Sequence, residues 1–222
     1  VKNGGVVHAT TKSQQPNGHL MRTTATPTLL LTMAIVLLLA FSFLGTRPIW
    51  DPDEGRYTNV ALNMLESGDW MHPMRNEHIG HWTKQPLTYW MIASSVSVFG
   101  YNPWPARLPY ALAFLACVWA VWRIARRFVE GDENKAALIY ATMLFPFGAT
   151  QLVTTDFLLA AALSVAMMAW LESRFGNPVH SIRWVWLMWL GFGLGFLIKG
   201  PPALLPLLVV IASTRLLPAS AG

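Results

Sequence analysis

Residues 28–45 read TLLLTMAIVLLLAFSFLG and contain no Lys, Arg, Asp or Glu. With its flanks, this stretch is long enough to cross the ~30 Å hydrocarbon core of a membrane. It could instead be a signal peptide with Met21-Arg22 as its basic region, but no small-x-small cleavage site follows it. Because further apolar runs come later in the chain, the stretch favours a membrane anchor.

The composition of the whole chain supports a membrane protein. Of the 222 residues, 54% are hydrophobic and 12% are charged, whereas soluble domains carry ~25% charged residues. The mean hydropathy of +0.39 and the one cysteine exclude a disordered chain, a collagen-like chain and a disulfide scaffold. The net charge of +5 does not indicate a nucleic-acid partner, because the basic residues mostly punctuate apolar runs. The sequence therefore predicts an all-α, polytopic transmembrane helical bundle.

Six further apolar segments follow the first one, at residues 86–100, 105–122, 136–153, 157–171, 184–198 and 202–217. The segment 86–100 is short for a span. Cys117 lies inside an apolar run and is expected to pack as a small hydrophobic residue.

The two ends of the chain give the expected domain boundaries. We expect residues 1–27 to be a cytoplasmic tail, with either Met21 as the natural start, so that 1–20 are not native, or Val1 reading an alternative start codon. Residues 28–217 are expected to form one membrane domain. Because 202–217 is still apolar close to the end, we expect this domain to be truncated at its C-terminus.

The first loop, residues 46–85, holds six of the eleven acidic residues. A set of apolar residues in this loop recurs at helical spacing: Tyr57, Val60, Ala61, Met64 and Leu65. This stripe predicts a short amphipathic helix on the membrane surface, which Gly68 would end.

The basic residues predict the topology. If the tail is cytoplasmic, the loop 46–85 is extracytoplasmic, and the cluster from Arg123 to Lys135 returns to the cytoplasm when 86–100 does not cross. Arg174 and Arg183 then also lie inside. This arrangement brings five polar residues to one extracytoplasmic face: Asp53, Glu54, Lys84, Asp156 and Lys199.

Residues 51–57 allow a structural and a catalytic interpretation. Asp51 as N-cap, Pro52 at the first helical position and Glu54 two positions later would form a capping box. That interpretation leaves Asp53 without a structural role and available for catalysis.

The other polar positions have similar alternatives. Lys84, before Pro86, would bind an anion at a helix start or would anchor the chain at the membrane surface. Asp156 would be a functional carboxylate at membrane depth or a helix N-cap. Lys199 would bind an anion or mark a helix boundary, and the glycines at 191, 193 and 195 permit close helix packing.

Three histidines of the first loop raise the question of a metal. His72, His78 and His81 with Glu77 match no standard metal-site spacing, so exposed loop histidines are the favoured interpretation. Two carboxylates and two lysines on one membrane face suit transfer from a lipid phosphate, in which a carboxylate orients or deprotonates an acceptor and cations stabilise the leaving phosphate.

Five short motifs occur in a fixed order along the chain. They are Asp53-Glu-x-Arg-Tyr57, Lys84-x-Pro-Leu-x-Tyr-Trp90, Ala106-Arg-Leu-Pro109, Thr155-Asp156 and Leu197-x-Lys-Gly-Pro201. In this order they resemble the aminoarabinose transferase and protein O-mannosyltransferase-like group of GT-C integral-membrane glycosyltransferases.

The resemblance implies an inverting transfer from a polyprenyl-phosphate-linked sugar at the periplasmic face of the bacterial inner membrane. The acceptor would be lipid A, another glycan or a protein. Asp53 matches the catalytic carboxylate of the family and Glu54 its neighbour, while Asp156 matches a second carboxylate near the acceptor. Lys84 matches the lysine that contacts the lipid phosphate, and Arg107 and Lys199 match further basic positions.

The chain departs from this group at Thr83, where many relatives have an acid that in some binds a metal. A divalent metal ion is therefore not a firm expectation for this chain. Separately, because the membrane domain is expected to be truncated, the fragment alone is expected to be inactive. Two other function classes stay open: a transporter or flippase of lipid-linked sugars, which needs no carboxylate base, and a non-catalytic membrane subunit.

Overall fold

The computed structural model describes residues 25–76, 78–129 and 131–216. Within these ranges it contains nine α-helices, two short 3₁₀ turns and no β-strand. The helices are α1 (Ala25–Phe41), α2 (Asp53–Ser67), α3 (Leu87–Phe99), α4 (Pro103–Phe128), α5 (Glu133–Thr142), α6 (Leu144–Thr150), α7 (Thr155–Phe175), α8 (Ser181–Lys199) and α9 (Leu205–Leu216). The predicted all-α class is confirmed. The expected tail, apart from residues 25–27, lies outside the described residues.

In the part of the chain that the structure describes, three segments are long and apolar enough to cross a membrane: Pro103–Phe128, Thr155–Phe175 and Pro178–Lys199. Pro27–Phe41, Leu87–Phe99 and Pro201–Ala212 are shorter apolar helices. The 13 residues of α3 extend only about 20 Å at 1.5 Å per residue, which agrees with a segment that does not span. Large apolar side chains face outward, among them Leu38, Trp186 and Leu208, as in a bundle surrounded by lipid.

The prediction of one continuous span over 136–153 is wrong. The helix breaks at Met143, whose φ of −63° and ψ of 135° are extended, and restarts as α6. Pro146 explains the break, since a proline has no N–H and its ring clashes with the carbonyl four residues earlier. In the first turn of a new helix neither effect is costly.

The amphipathic helix of the first loop is confirmed as α2. Tyr57, Val60, Ala61 and Met64 are all buried, and they join a core with α3 and α4. Gly68 ends the helix with a φ of 71°, a left-handed conformation that favours glycine. The stripe therefore faces the protein core, and α2 packs mainly along α3.

Gly191 and Gly195 of α8 permit close packing, as predicted, whereas Gly193 faces open space. A methyl group on Gly191 would lie 2.8 Å from the Ala162 carbonyl oxygen and 2.8 Å from Ala166 Cβ of α7. Cys117 is buried in α4, also as predicted. Because α7 and α8 pack along each other in opposite directions, the start of α7 and the end of α8 meet at one end of the bundle.

Candidate active site at one end of the bundle

Asp53 is the first residue of α2, and its side chain is 58% exposed. One oxygen of its carboxylate lies 3.4 Å from Nη1 of Arg56, one turn later in the helix. The predicted capping box is absent, because the N-cap is Pro52 and no side chain caps the helix. The Asp53 carboxylate therefore stays accessible at the helix start.

Glu54 points in the opposite direction, into the protein, and is 3% exposed. Its carboxylate accepts two hydrogen bonds from Arg47 at 2.5 and 3.0 Å and two from Arg107 at 3.3 and 3.2 Å. The backbone N–H groups of Trp50 and Val153 donate two more, at 2.9 and 3.0 Å. Burial by itself would raise the pKa of Glu54, but the two arginines and the backbone donors lower it to about 2. The predicted catalytic role of Glu54 is not supported, since its acceptors are already used inside the protein.

Arg107 is fully buried in α4. Besides Glu54, its guanidinium donates to the carbonyls of Leu44, Arg47 and Pro48 at 2.8–2.9 Å. These bonds hold the end of the first apolar segment against α4. The geometry does not support the predicted contact of Arg107 with a phosphate, because the guanidinium has no exposed face.

Asp156 lies in the first turn of α7, with 71% of its side chain exposed. The N-cap of α7 is Thr154, so the interpretation of Asp156 as N-cap is wrong. Lys199 at the end of α8 donates from Nζ to the Asp156 carboxylate. Two predicted site residues that lie 43 positions apart in the chain thus form one ion pair.

Lys84 lies in the loop before α3 and is half-buried. Among the residues that the structure describes, no acidic side chain pairs with it. The loop meets the end of α8, because a methyl group on Gly200 would lie 2.9 Å from Gln85 Nε2. Lys84 and Lys199 therefore belong to adjoining segments.

Tyr57 connects the two exposed carboxylates electrostatically. Burial raises the pKa of its hydroxyl, a side-chain hydrogen bond with Thr155 opposes that rise, and the charges of both Asp53 and Asp156 add to it. At the same end of the bundle, Glu54, the residue after Asp53, accepts from Val153 just before α7, and Gln85, the residue after Lys84, lies beside Gly200 just after α8. Asp156 and Lys199 are in contact, and the convergence of all four side chains on one site stays a prediction.

The described residues do not fit a metal ion. They contain no group of three or more His, Cys, Asp or Glu side chains that could hold one. His81 is buried, contrary to the expectation of an exposed loop histidine, and its Nδ1 accepts a 2.9 Å hydrogen bond from Arg75 Nε. Its Nε2 lies 3.3 Å from the hydroxyl of Thr83, so both ring nitrogens are already engaged. Glu77 lies outside the described residues.

The sequence did not indicate Arg47, which makes the strongest contacts with Glu54. It indicated Tyr57 as part of the apolar stripe but not as a site residue. It also missed a groove of about 470 Å³ beside the start of α2, lined by Asp51, Pro52, Gly55, Arg56, Asn59 and Arg75. Arg56 carries a usable signal, since it lies one helical turn after Asp53. Nothing local in the sequence indicates that Arg47 reaches Gln151, 104 positions away.

A comparison with protein families identifies the chain. The sequence model for dolichyl-phosphate-mannose-protein mannosyltransferases matches residues 83–219. The chain belongs to this family. The resemblance to GT-C glycosyltransferases stated from the motifs is thereby confirmed, and the family member is a multi-pass membrane protein.

Known relatives refine the comparison. The chain is 33% identical over 187 residues to undecaprenyl phosphate-alpha-4-amino-4-deoxy-L-arabinose arabinosyl transferase 2 of Pseudomonas fluorescens Pf0-1, covering 82% of this chain and 34% of that protein. The chain is also 31% identical to the undecaprenyl phosphate-alpha-4-amino-4-deoxy-L-arabinose arabinosyl transferase of Pseudomonas aeruginosa UCBPP-PA14. That match covers 79% of this chain and 34% of that protein. The chain thus spans about a third of the length of these relatives.

Solved structures agree with the fold. The crystal structure of ArnT from Cupriavidus metallidurans in the apo state superimposes with a TM-score of 0.76 at 28% identity, over 86% of this chain and 36% of that one. The same protein bound to undecaprenyl phosphate gives a TM-score of 0.73, over 85% and 36%. The helical bundle of this family member is therefore of the GT-C type.

Proposed function

We propose that this family member transfers a sugar from a polyprenyl-phosphate carrier to an acceptor hydroxyl. The carrier is proposed from the relatives, which are named for undecaprenyl phosphate-linked aminoarabinose, and from the ArnT structure bound to undecaprenyl phosphate. The observation that supports the proposal is the ion pair of Asp156 with Lys199 at the end of the bundle where the exposed Asp53 begins α2 and where the residue after Lys84 lies beside Gly200.

Asp53 is the proposed base. The acceptor hydroxyl oxygen would form a bond to the anomeric carbon of the donor sugar and would lose its proton to the Asp53 carboxylate. Asp53 suits this role better than Glu54, because it is accessible and its ion-pair partner among the described residues is the partly exposed Arg56 at 3.4 Å. The substitution at the anomeric carbon inverts its configuration.

Lys84 is the proposed partner of the leaving phosphate. As the bond from the anomeric carbon to the phosphate oxygen breaks, the electron pair goes to that oxygen, and an ammonium group beside it stabilises the negative charge. Lys84 is available for this because it has no acidic partner among the described residues. Lys199 is held by Asp156, and we propose that this pair orients the acceptor and supports the phosphate.

The location of the site is part of the same proposal. We place the end of the bundle with Asp53 at the periplasmic face of the bacterial inner membrane, with the loop 46–85 outside and the tail 1–27 inside. The membrane domain would extend over 28–217. The acceptor, whether lipid A, another glycan or a protein, would approach Asp53 from the aqueous side.

The test is Asp53→Asn in the intact protein reconstituted in phospholipid vesicles, with transfer of radiolabelled sugar to the acceptor as readout. Loss of a general base lowers the rate by about 100-fold or more. Asp69→Asn is a matched control, because Asp69 lies in the same loop and, among the described residues, pairs with His72 and with nearby backbone N–H groups. Transfer by the Asp53 variant near the parent rate would refute the role of Asp53. Movement of lipid-linked sugar without any transfer, in the parent protein, would favour a flippase.

A further inference from the structure

A second polar site lies at the opposite end of the bundle from Asp53. It is formed where α4 ends, α7 ends and α8 begins, and the helical rise from Asp156 to Glu172 along α7 separates it from Asp156 by about 24 Å. A cavity of about 290 Å³ opens there, lined by Arg123, Arg127, Arg183, His180, Trp184 and Leu187 around the Glu172 carboxylate. None of these residues takes part in the proposed transfer.

Glu172 organises this cavity but neutralises only part of its charge. It is 4% exposed and accepts hydrogen bonds from Arg123 Nε at 2.7 Å and Arg127 Nη2 at 3.0 Å. Both arginine side chains stay about one third exposed, and each guanidinium has five N–H donors, of which the bond to Glu172 uses one. Arg123 also stacks on the Trp184 ring, with 5.2 Å from its central carbon to the ring centroid. Arg123 and Arg127 are thus held in place by Glu172, which does not use all of their hydrogen-bond donors.

Arg183 adds a third cation to the rim. It is exposed and has no acidic partner within the described part of the chain. A second cavity of about 250 Å³ adjoins the first, sharing Arg123 and Arg127 and adding Arg126. The two cavities together present four arginines and one carboxylate, and guanidinium groups bind phosphate oxygens through paired N–H donors.

The surroundings of the cavity indicate that the phosphate belongs to a lipid. Val179 lies in the 3₁₀ turn Pro178–His180, and Ile182 and Trp186 lie in the first turns of α8. These three side chains are 77, 59 and 71% exposed. These apolar side chains lie at the end of a helix long enough to cross a membrane, where lipid chains meet head groups. Basic cavities between transmembrane helices bind lipid head groups when they lie at the level where the lipid chains meet the head groups. We propose that this site binds the phosphate of an anionic phospholipid, with its acyl chains along the start of α8.

The experiment measures lipid binding to the intact protein in neutral detergent by native mass spectrometry. Phosphatidylglycerol is titrated in one arm, phosphatidylcholine in a second, and inorganic phosphate competes with phosphatidylglycerol in a third. Arg183→Gln is the test variant, because it removes a cation without breaking the bonds of Glu172. We expect phosphatidylglycerol to bind in preference to phosphatidylcholine, and the variant to bind it about five-fold more weakly.

Two further variants make the result decisive. Arg183→Lys keeps the charge and is expected to retain most of the binding. Lys135→Gln makes the same change of charge at an exposed lysine that pairs with Asp132 outside the cavity, and is expected to bind as the parent does. Equal affinity of the parent and Arg183→Gln, or an equal loss in Lys135→Gln, would overturn the proposal. Displacement by inorganic phosphate at concentrations similar to those of the lipid would also overturn it, because the site would then recognise free phosphate.

Discussion

Replacing Glu54 by glutamine tests the buried charge cluster that connects the first loop to the bundle. Glutamine keeps the shape and one oxygen acceptor, but Arg47 and the fully buried Arg107 lose their counter-ion. Removing one partner of a buried ion pair destabilises a protein by about 3–5 kcal/mol. The lowered pKa gives a second figure: a change from 4.5 to about 2, at about 1.4 kcal/mol for each pKa unit, corresponds to about 3 kcal/mol. Both figures predict a large loss of stability.

The assay uses Cys117, the one cysteine of the chain, which is 1% exposed. A fluorogenic maleimide reacts with it only after unfolding, so its signal during heating in detergent reports the thermal midpoint. At about 2–4 °C for each kcal/mol in a chain of this size, the Glu54→Gln midpoint is expected to fall by about 10 °C. Glu66→Gln is the control, since Glu66 is an exposed residue of the same helix. A midpoint of Glu54→Gln equal to that of the control would refute the reasoning.

Three further perturbations follow from the site. Gly200→Ala is expected to lower the thermal midpoint by forcing a φ of 74° on alanine and bringing its methyl group against Gln85, whereas Gly193→Ala, with nothing within 4 Å, is expected to leave it unchanged. Lys84→Met is expected to weaken undecaprenyl phosphate binding by about tenfold, measured by calorimetric titration in detergent, while Lys84→Arg retains it. Burial, and after it the charges of nearby cations, lower the pKa of His81 below its usual 6.5. Because the folded protein therefore holds His81 neutral more strongly than the unfolded chain does, the contribution of His81 to stability is complete above pH 6.5. This contribution is lost as the pH falls through the lowered pKa of the folded state. Denaturant titrations across this range should show that loss in the parent, and His81→Gln should remove the part due to His81.

The fold was predictable where local pattern decides it. The apolar stripe from Tyr57 to Met64 and the stop at Gly68 give α2 without any knowledge of its neighbours, because helical periodicity and a left-handed glycine are local features. The break at Met143 was predictable in principle from Pro146, but apolar composition concealed it. Hydropathy averages over a window and does not register the N–H that proline lacks.

The site was predictable in its exposed residues and not in its buried ones. Charge at the ends of apolar runs identifies Asp53, Asp156 and Lys199, since a charge at membrane depth is costly and needs a reason to be there. The same signal cannot distinguish a residue that faces the substrate from one that faces a buried partner. Glu54 and Arg107 therefore appeared as site residues, although they pair with each other.

The buried cluster nevertheless determines the geometry of the exposed site. Glu54 follows Asp53 directly, and the Val153 N–H that it accepts lies three residues before Asp156. One carboxylate thus fixes the starts of α2 and α7 relative to each other, and with them the two accessible acids. The cluster has to be charged to do this, because only an ionised carboxylate satisfies two guanidinium groups and two backbone donors at once. It follows that Glu54→Gln should reduce the rate of sugar transfer, because Asp53 and Asp156 are misplaced. A bound phospholipid that restores the stability of this variant should restore part of that rate. The same phospholipid should not change the rate of Asp53→Asn.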